Sequence, residues 1–217
     1  MWIDPPEYYD PPGGLLTFAI DQPEQLVRPA GGMSVQGHVD LMHHQLRQLR
    51  AALALAHALG RVLVLPAVVC GYDKYWGPLL RKGDGVIPGT HPWVLPIFNC
   101  PLDHYIEVGQ LDPVQTVREY SFMDNPRTPA AVRQGVRSAP LAEAGPTLER
   151  LAGHTDKVLD VGRVVGIDPL ENGLLSKEQR RAFKQRFGNV GGSWCCSPMD
   201  EKKQGAPHSV GFRLMKV

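Results

Sequence analysis

Asp103 and His104, side by side after Cys100-Pro101-Leu102, form the pair whose chemistry is easiest to state. A carboxylate can orient an imidazole, and the imidazole can take a proton from a hydroxyl acceptor, so the two are the candidate catalytic residues. Neighbours in sequence seldom point at one another, and a surface loop that holds an Asp and a His by composition alone is the plain alternative. His38 and Gln45 stand on the first half of a long amphipathic segment. Near a helix N-terminus they would meet a diphosphate drawn in by the helix dipole. The competing reading is a solvated helix face with one buried polar contact, because Gln45 and Gln48 lie beside the apolar stripe and a buried amide must find a partner. Asp73, Arg118 and Glu119 complete the candidate ligand-binding set, with ion pairing that fixes a loop as their alternative.

Several familiar chemistries have no bearer here. Divalent-metal glycosyl transfer commonly uses Asp-x-Asp, since two carboxylates one residue apart reach a metal bound by a diphosphate. No Asp of this chain lies two positions from another. Gly-x-Gly-x-x-Gly, a Walker-type loop, Gly-x-Ser-x-Gly and His-Glu-x-x-His are also missing. The cysteines are Cys70, Cys100, Cys195 and Cys196, without a Cys-x-x-Cys, and adjacent cysteines rarely ligate one zinc together. No metal site and no cofactor site is read from the chain. A Cys70–Cys100 bridge would close a sizeable loop in an oxidising compartment, whereas in a reducing one the two would be small buried hydrophobes. The residues leave both open.

The elements that must position these groups follow from periodicity. From His38 to Leu59 the apolar residues Met42, Leu46, Leu49, Leu53 and Ala56 recur at steps of three and four, which predicts a helix, and Gly60 is placed to end it. Val62-Leu63-Val64-Leu65 follows without alternation, as a strand buried on both faces does, and Pro66 closes it. Helix, tight turn and buried strand indicate an α/β fold with a mainly parallel sheet, flanking helices and long ordered loops. In such sheets ligands sit outside the carboxyl ends of the strands, where the loop carrying Cys70-Gly71-Tyr72-Asp73 and the Asp-His pair begins. Residues 1–37 read as an irregular Pro/Gly-rich lead-in with one strand, Leu15 to Ile20. Residues 38–196 read as a single α/β module and 197–217 as a polar tail.

Within the module, Arg118 to Phe122 reads as a short strand and 126–153 as a weakly patterned, variable surface segment. Lys157–Val161 and Arg163–Val165 read as strand pieces. Ser176-Lys177-Glu178-Gln179 is a capping box opening a helix to about Phe187.

Length and charge limit the partners. At 217 residues and a net charge of +1 the chain can bury one core and carries no broad basic field, which argues against nucleic acid and anionic membrane surfaces. Neither a signal-like leader nor an apolar run long enough to span a bilayer is present, so no membrane contact is expected of the chain itself.

Taken in order, His43-His44-Gln45-Leu46 through Ala56, Leu59-Gly60-Arg61-Val62-Leu63-Val64-Leu65-Pro66, Cys70, Tyr72 to Trp76, Cys100 to His104, Arg118 to Phe122, Asp124-Asn125-Pro126 and Trp194-Cys195-Cys196 resemble the C-terminal region of plant and green-algal extensin arabinosyltransferases. The helix followed by Arg-x-Leu-x-Leu-Pro is also similar to an element of O-fucosyltransferase-like enzymes. The resemblance implies the Rossmann-like half of a Golgi-lumenal glycosyltransferase that adds arabinofuranose from a nucleotide sugar to hydroxyproline-rich cell-wall glycoproteins. It implies a nucleotide sugar and a divalent metal for the full-length enzyme, and a lumenal setting that would favour Cys70, Cys100, Cys195 and Cys196 as disulfides. The family's anchor and its Asp-x-Asp domain have no counterpart here, so its metal ligands carry over to no position. A noncatalytic structural or acceptor-docking domain of a larger enzyme is the other expectation.

Overall fold

The computed structural model describes residues 4–30, 35–70, 98–111, 116–141, 147–188, 190–195 and 209–213. In chain order the elements are α1 (Pro6–Tyr9), β1 (Leu15–Ala19), α2 (Glu24–Val27), α3 (Val35–Ala58), β2 (Val62–Val64), β3 (Val69–Cys70), β4 (Phe98–Asn99) and α4 (Leu102–Tyr105). They continue with β5 (Val117–Arg118), α5 (Ala130–Gln134), β6 (Val136–Ser138), α6 (Leu148–Ala152), β7 (Val158–Arg163), α7 (Lys177–Phe187), β8 (Gly191–Cys195) and β9 (Ser209–Arg213). The chain divides into two compact units. One comprises Met1–Asp21, Arg47–Pro66 and Gly109–Gly188, the other Gln22–Leu46, Ala67–Val108 and Asn189–Val217.

The first unit is built on a five-stranded sheet in the order β5-β2-β1-β7-β6, with every pairing parallel. Its logic starts in α3, where Leu49, Leu53 and Ala56 form the buried continuation of the predicted stripe. Gly60, at φ +64°, ends that helix: its N–H reaches the His57 carbonyl and the Arg61 N–H reaches that of Ala56, the double bond of a Schellman cap. The turn drops the chain directly into β2, whose three residues are all buried. β1 lies at the centre, with Leu15 and Leu16 wholly buried between β2 and β7. Leu15, Val62, Val64, Phe122, Val132 and Val158 form a core cluster against which Tyr8, Tyr9 and Met123 pack. The α/β, mainly parallel, Rossmann-like arrangement with flanking helices is therefore the fold of this chain.

Three segments differ in detail from their sequence reading. The strand expected from Arg118 to Phe122 is only Val117–Arg118; the Phe122 N–H bonds the Glu119 carbonyl and turns the chain into a 3-10 helix at Phe122–Asp124, which puts the Phe122 ring in the core. Residues 126–153 hold α5, the edge strand β6 and α6. All three side chains of β6 are exposed and its attachment is the backbone ladder to β7, so no apolar pattern marks it. The two strand pieces around Asp160 are one strand, β7, containing Gly162 at φ +64° and facing a register shift between Thr17 and Ala19. The capping box at Ser176 and Gln179 is formed as expected, with both reciprocal bonds present.

The second unit contains the first half of α3, an antiparallel pair β3/β4, the one-turn helix α4 and an antiparallel pair β8/β9. α4 packs beside β8.

Candidate functional site

In the second unit the chain from Ala67 is fastened by glutamines. The Gln45 side chain is wholly buried and works as a two-sided clamp: its Oε1 accepts from the Val69 N–H at 2.9 Å while its Nε2 donates to the Val69 carbonyl at 2.9 Å. The same Oε1 accepts from Gln22 Nε2 at 3.0 Å, and that Nε2 also donates to the Ala67 carbonyl at 3.0 Å. A buried amide is thus satisfied on both ends, and the backbone entering β3 gains a ladder partner that is a side chain. Gln45, expected near a diphosphate or in one buried contact, is occupied by this clamp. Gln22 gave no signal in the sequence, because its role depends on where Ala67 and Gln45 meet in space.

Beyond the clamp, Cys70 and Cys100 are joined in a disulfide with Cα atoms 5.3 Å apart, tying β3 to β4. The Cys100 N–H donates to the Val68 carbonyl at 2.6 Å. Pro101 then caps α4, as its fixed φ suits a helix start. Tyr105 and Ile106 are buried at the far end of that turn, and burial pushes the Tyr105 phenol well above its ordinary range, so the ring is a neutral anchor. Between these two fixed ends α4 carries Asp103 and His104, whose side chains lie outside the described residues, as do Asp73 and the side chains of Cys195 and Cys196. His38, in the first turns of α3, is 1% exposed, and burial holds its imidazole at about 3, so it is neutral at physiological pH and offers no charge to an anion.

In the first unit Arg118 is 1% exposed and its guanidinium serves the fold. It donates to the carbonyls of Tyr8 at 2.7 Å, Val117 at 2.8 Å and Glu7 at 3.5 Å, and lies 4.2 Å from the Tyr8 ring centre, which locks α1 against β5. Its neighbour Glu119 is exposed at the carboxyl end of β5. Arg61 does the same at the amino edge, donating to the carbonyls of Leu15, Asp156 and His154.

The same unit contains a topological switch point that sequence reasoning missed. Strand order runs outward from β1 through β2 to β5, then resumes on the other side with β6 and β7, so direction reverses between β1 and β7, the position where open α/β sheets take ligands. There the Thr17 hydroxyl donates to Asp160 Oδ1 at 3.2 Å, and Gln48 closes the strand exit by accepting from the Asp21 N–H at 2.7 Å and donating to its carbonyl at 2.9 Å. An Asp inside an otherwise apolar strand was the available signal. Arg50 pairs with Asp168 at 2.7 Å in the loop after β7. Among the described residues no three His, Cys, Asp or Glu converge as metal ligands, so no step is assigned to a divalent ion held by them. Among the same residues no helix is long and apolar enough to cross a membrane.

The first unit is an open, parallel α/β sheet protein, and the second holds a loop pinned by a disulfide and by glutamine clamps. No protein-family model matches the chain. It is 31% identical over 228 residues to Arabinosyltransferase XEG113 of Arabidopsis thaliana, a match covering 90% of this chain and 34% of that protein. Over that span the chain is related to the extensin arabinosyltransferase-like glycosyltransferases, and it spans about a third of the length of the curated relative it matches.

Proposed function

We propose that the chain forms the C-terminal α/β module of a sugar-transferring enzyme and places a hydroxyl acceptor or a nucleotide sugar against the turn Leu102–Tyr105. The observation that carries this reading is the fastening of α4: the disulfide and Pro101 fix one end, and the buried Tyr105 and Ile106 fix the other, with Asp103 and His104 between them. A short turn held at both ends gives side chains the positional precision that proton transfer needs. In this role His104 is the general base for the acceptor hydroxyl and Asp103 orients it. His38, Gln45, Asp73, Arg118 and Glu119 form the proposed ligand-binding set, to which Gln45 and Arg118 would contribute through the backbone they hold. On the resemblance, the donor is a nucleotide sugar, a divalent ion serves the longer enzyme, the acceptor is a hydroxyproline-rich glycoprotein and the compartment is the Golgi lumen. A Cys70–Cys100 bridge suits such an oxidising compartment.

The second reading, a noncatalytic acceptor-docking or structural domain, is favoured by the use of Gln45 and Arg118 in backbone clamps. Asp103→Asn and His104→Ala in the full-length enzyme separate the two. Chemistry predicts at least a hundredfold loss of turnover with the melting temperature unchanged, in line with the usual contribution of a positioned base. A lowered melting temperature with normal turnover establishes the scaffold instead. Calorimetric titration with uridine- and guanosine-diphosphate sugars and with arabinosylated hydroxyproline peptides should give saturable heat, and silence in both panels overturns the binding role.

A further inference from the structure

The helix α7 carries Lys177, Arg180, Arg181 and Lys184, four cations at positions i, i+3, i+4 and i+7, hence on one face and over about 10.5 Å of axis. Together with Leu170 and Gln185 they line an open hollow of about 510 Å³ that, among the described residues, has no acidic side chain in its lining. Lys177, Arg181 and Lys184 are exposed, and among the described residues they make no ion pair. Arg180 is half-buried and donates to the Leu170 carbonyl at 3.3 Å.

This pattern works against the helix that bears it. Like charges three and four residues apart repel, and Lys177 in the first turn opposes the dipole, against which Glu178 in the same turn and Lys184 in the last turn are favourably placed. On a chain of net charge +1 the concentration is local rather than part of a general basic surface. Lys177, Arg181 and Lys184, without an ion-pair partner among the described residues, are available for an external anion.

We propose that this face binds an acidic polysaccharide, a linear chain with one carboxylate per sugar ring. The hollow is too open to enclose a small ligand, whose sites bury most of the ligand surface, so it fits a polymer lying along the helix. Among the described residues its lining has no aromatic platform for stacking bases, which disfavours single-stranded nucleic acid. An acidic peptide would need an apolar anchor pocket, and the lining offers one leucine. What it does offer is a row of donors about 5–6 Å apart, Arg forks and the Gln185 amide, suited to carboxylates interspersed with hydroxyls. The assignment does not rest on the transferase reading, since α7 takes no part in α4 or its clamps.

The test uses the whole chain and polygalacturonate of ten or more sugars, followed by calorimetry or interferometry. Binding should weaken about tenfold or more between about 50 and 200 mM salt, as counterion release requires. The triple variant Lys177→Gln, Arg181→Gln, Lys184→Gln should bind at least tenfold more weakly, while Arg133→Gln, Arg137→Gln, Arg163→Gln, which removes as many exposed charges elsewhere, should bind as the parent does. Both variants are checked for an unchanged melting temperature. Parent-like binding by the α7 variant, or equal loss in the control, overturns the site. Binding of poly-glutamate of matched length as tight as that of polygalacturonate overturns the polysaccharide assignment, and so does the absence of polygalacturonate binding at low salt.

Discussion

Gln45 shows how a single amide decides what its neighbours can do. Three of its hydrogen bonds run directly to the Val69 N–H, the Val69 carbonyl and Gln22, so removing the amide strands partly buried backbone groups at about 1–3 kcal/mol each. Gln45→Leu, close in volume, should therefore cost about 3 kcal/mol or more in urea unfolding, whereas an exposed polar position such as Gln134→Leu should change stability by less than about 0.5 kcal/mol. His38 supplies a pH signature. Its folded pKa, about 3, lies below the unfolded value near 6.5, so above pH 6.5 both states hold the same protons and nothing is lost. As pH falls from 6.5 toward 3 the unfolded chain takes up a proton that the folded one refuses, and stability drops by about 1.4 kcal/mol per unit. His38→Leu should flatten that slope between pH 6.5 and 5 in thermal melts; an unchanged slope would show that the imidazole is solvated. At this scale the sequence signalled that polar residues sat beside an apolar stripe and that buried polar groups need partners. It carried no trace of Gln22, or of Arg118 as a tether of α1, because both roles join residues 23 to 111 positions apart.

Elements with their own periodicity were legible, and elements held by others were not. α3, β1, β2 and the capped α7 can be read directly because each buries a face or closes a reciprocal cap within its own few residues. β5 and β6 are two- and three-residue edges that exist through ladders to β2 and β7, and the exposed β6 has no apolar pattern to read. α4 sat in a stretch read as loop, since a helix of one turn nucleates only when its ends are held. The disulfide sits between these cases: the pair Cys70 and Cys100 was visible, but bridging turns on the compartment as well as on the residues. Its link closes a loop of sequence separation 30, and the chain-entropy account gives about 3–4 kcal/mol for such a closure. Reduction with dithiothreitol, or Cys70→Ala with Cys100→Ala, should lower stability by that amount in denaturant titrations and speed amide exchange at Cys100, whose N–H is held by Val68. Unchanged stability under reduction would remove the disulfide from the fastening of α4.

In the assembly of the first unit, the order β5-β2-β1-β7-β6 makes β1, from the start of the chain, the central strand of the sheet. β1 pairs with β2 on one side and β7 on the other, so the first unit is assembled from three stretches of sequence and its middle strand comes from a segment that reads, by composition, as a Pro/Gly-rich lead-in. Approach at this end is tight: a Cβ at Gly13 would collide with the Gly60 carbonyl oxygen, and the Arg61 guanidinium closes over Leu15 and Asp156. Leu15, Leu16 and Phe18 are buried, worth about 1.5–3 kcal/mol each, and two ladders end on β1, a sum comparable with the whole stability of a domain. A chain beginning at Gln22 should consequently lose the cooperative unfolding of the first unit, with the amides of β2 and β7 exchanging at rates near those of an unfolded peptide. Hydrogen exchange read by mass spectrometry resolves those two strands individually. Retained protection in β2 and β7 would mean that their ladders to β5 and β6 hold without β1, and the dependence of the first unit on its middle strand would fall.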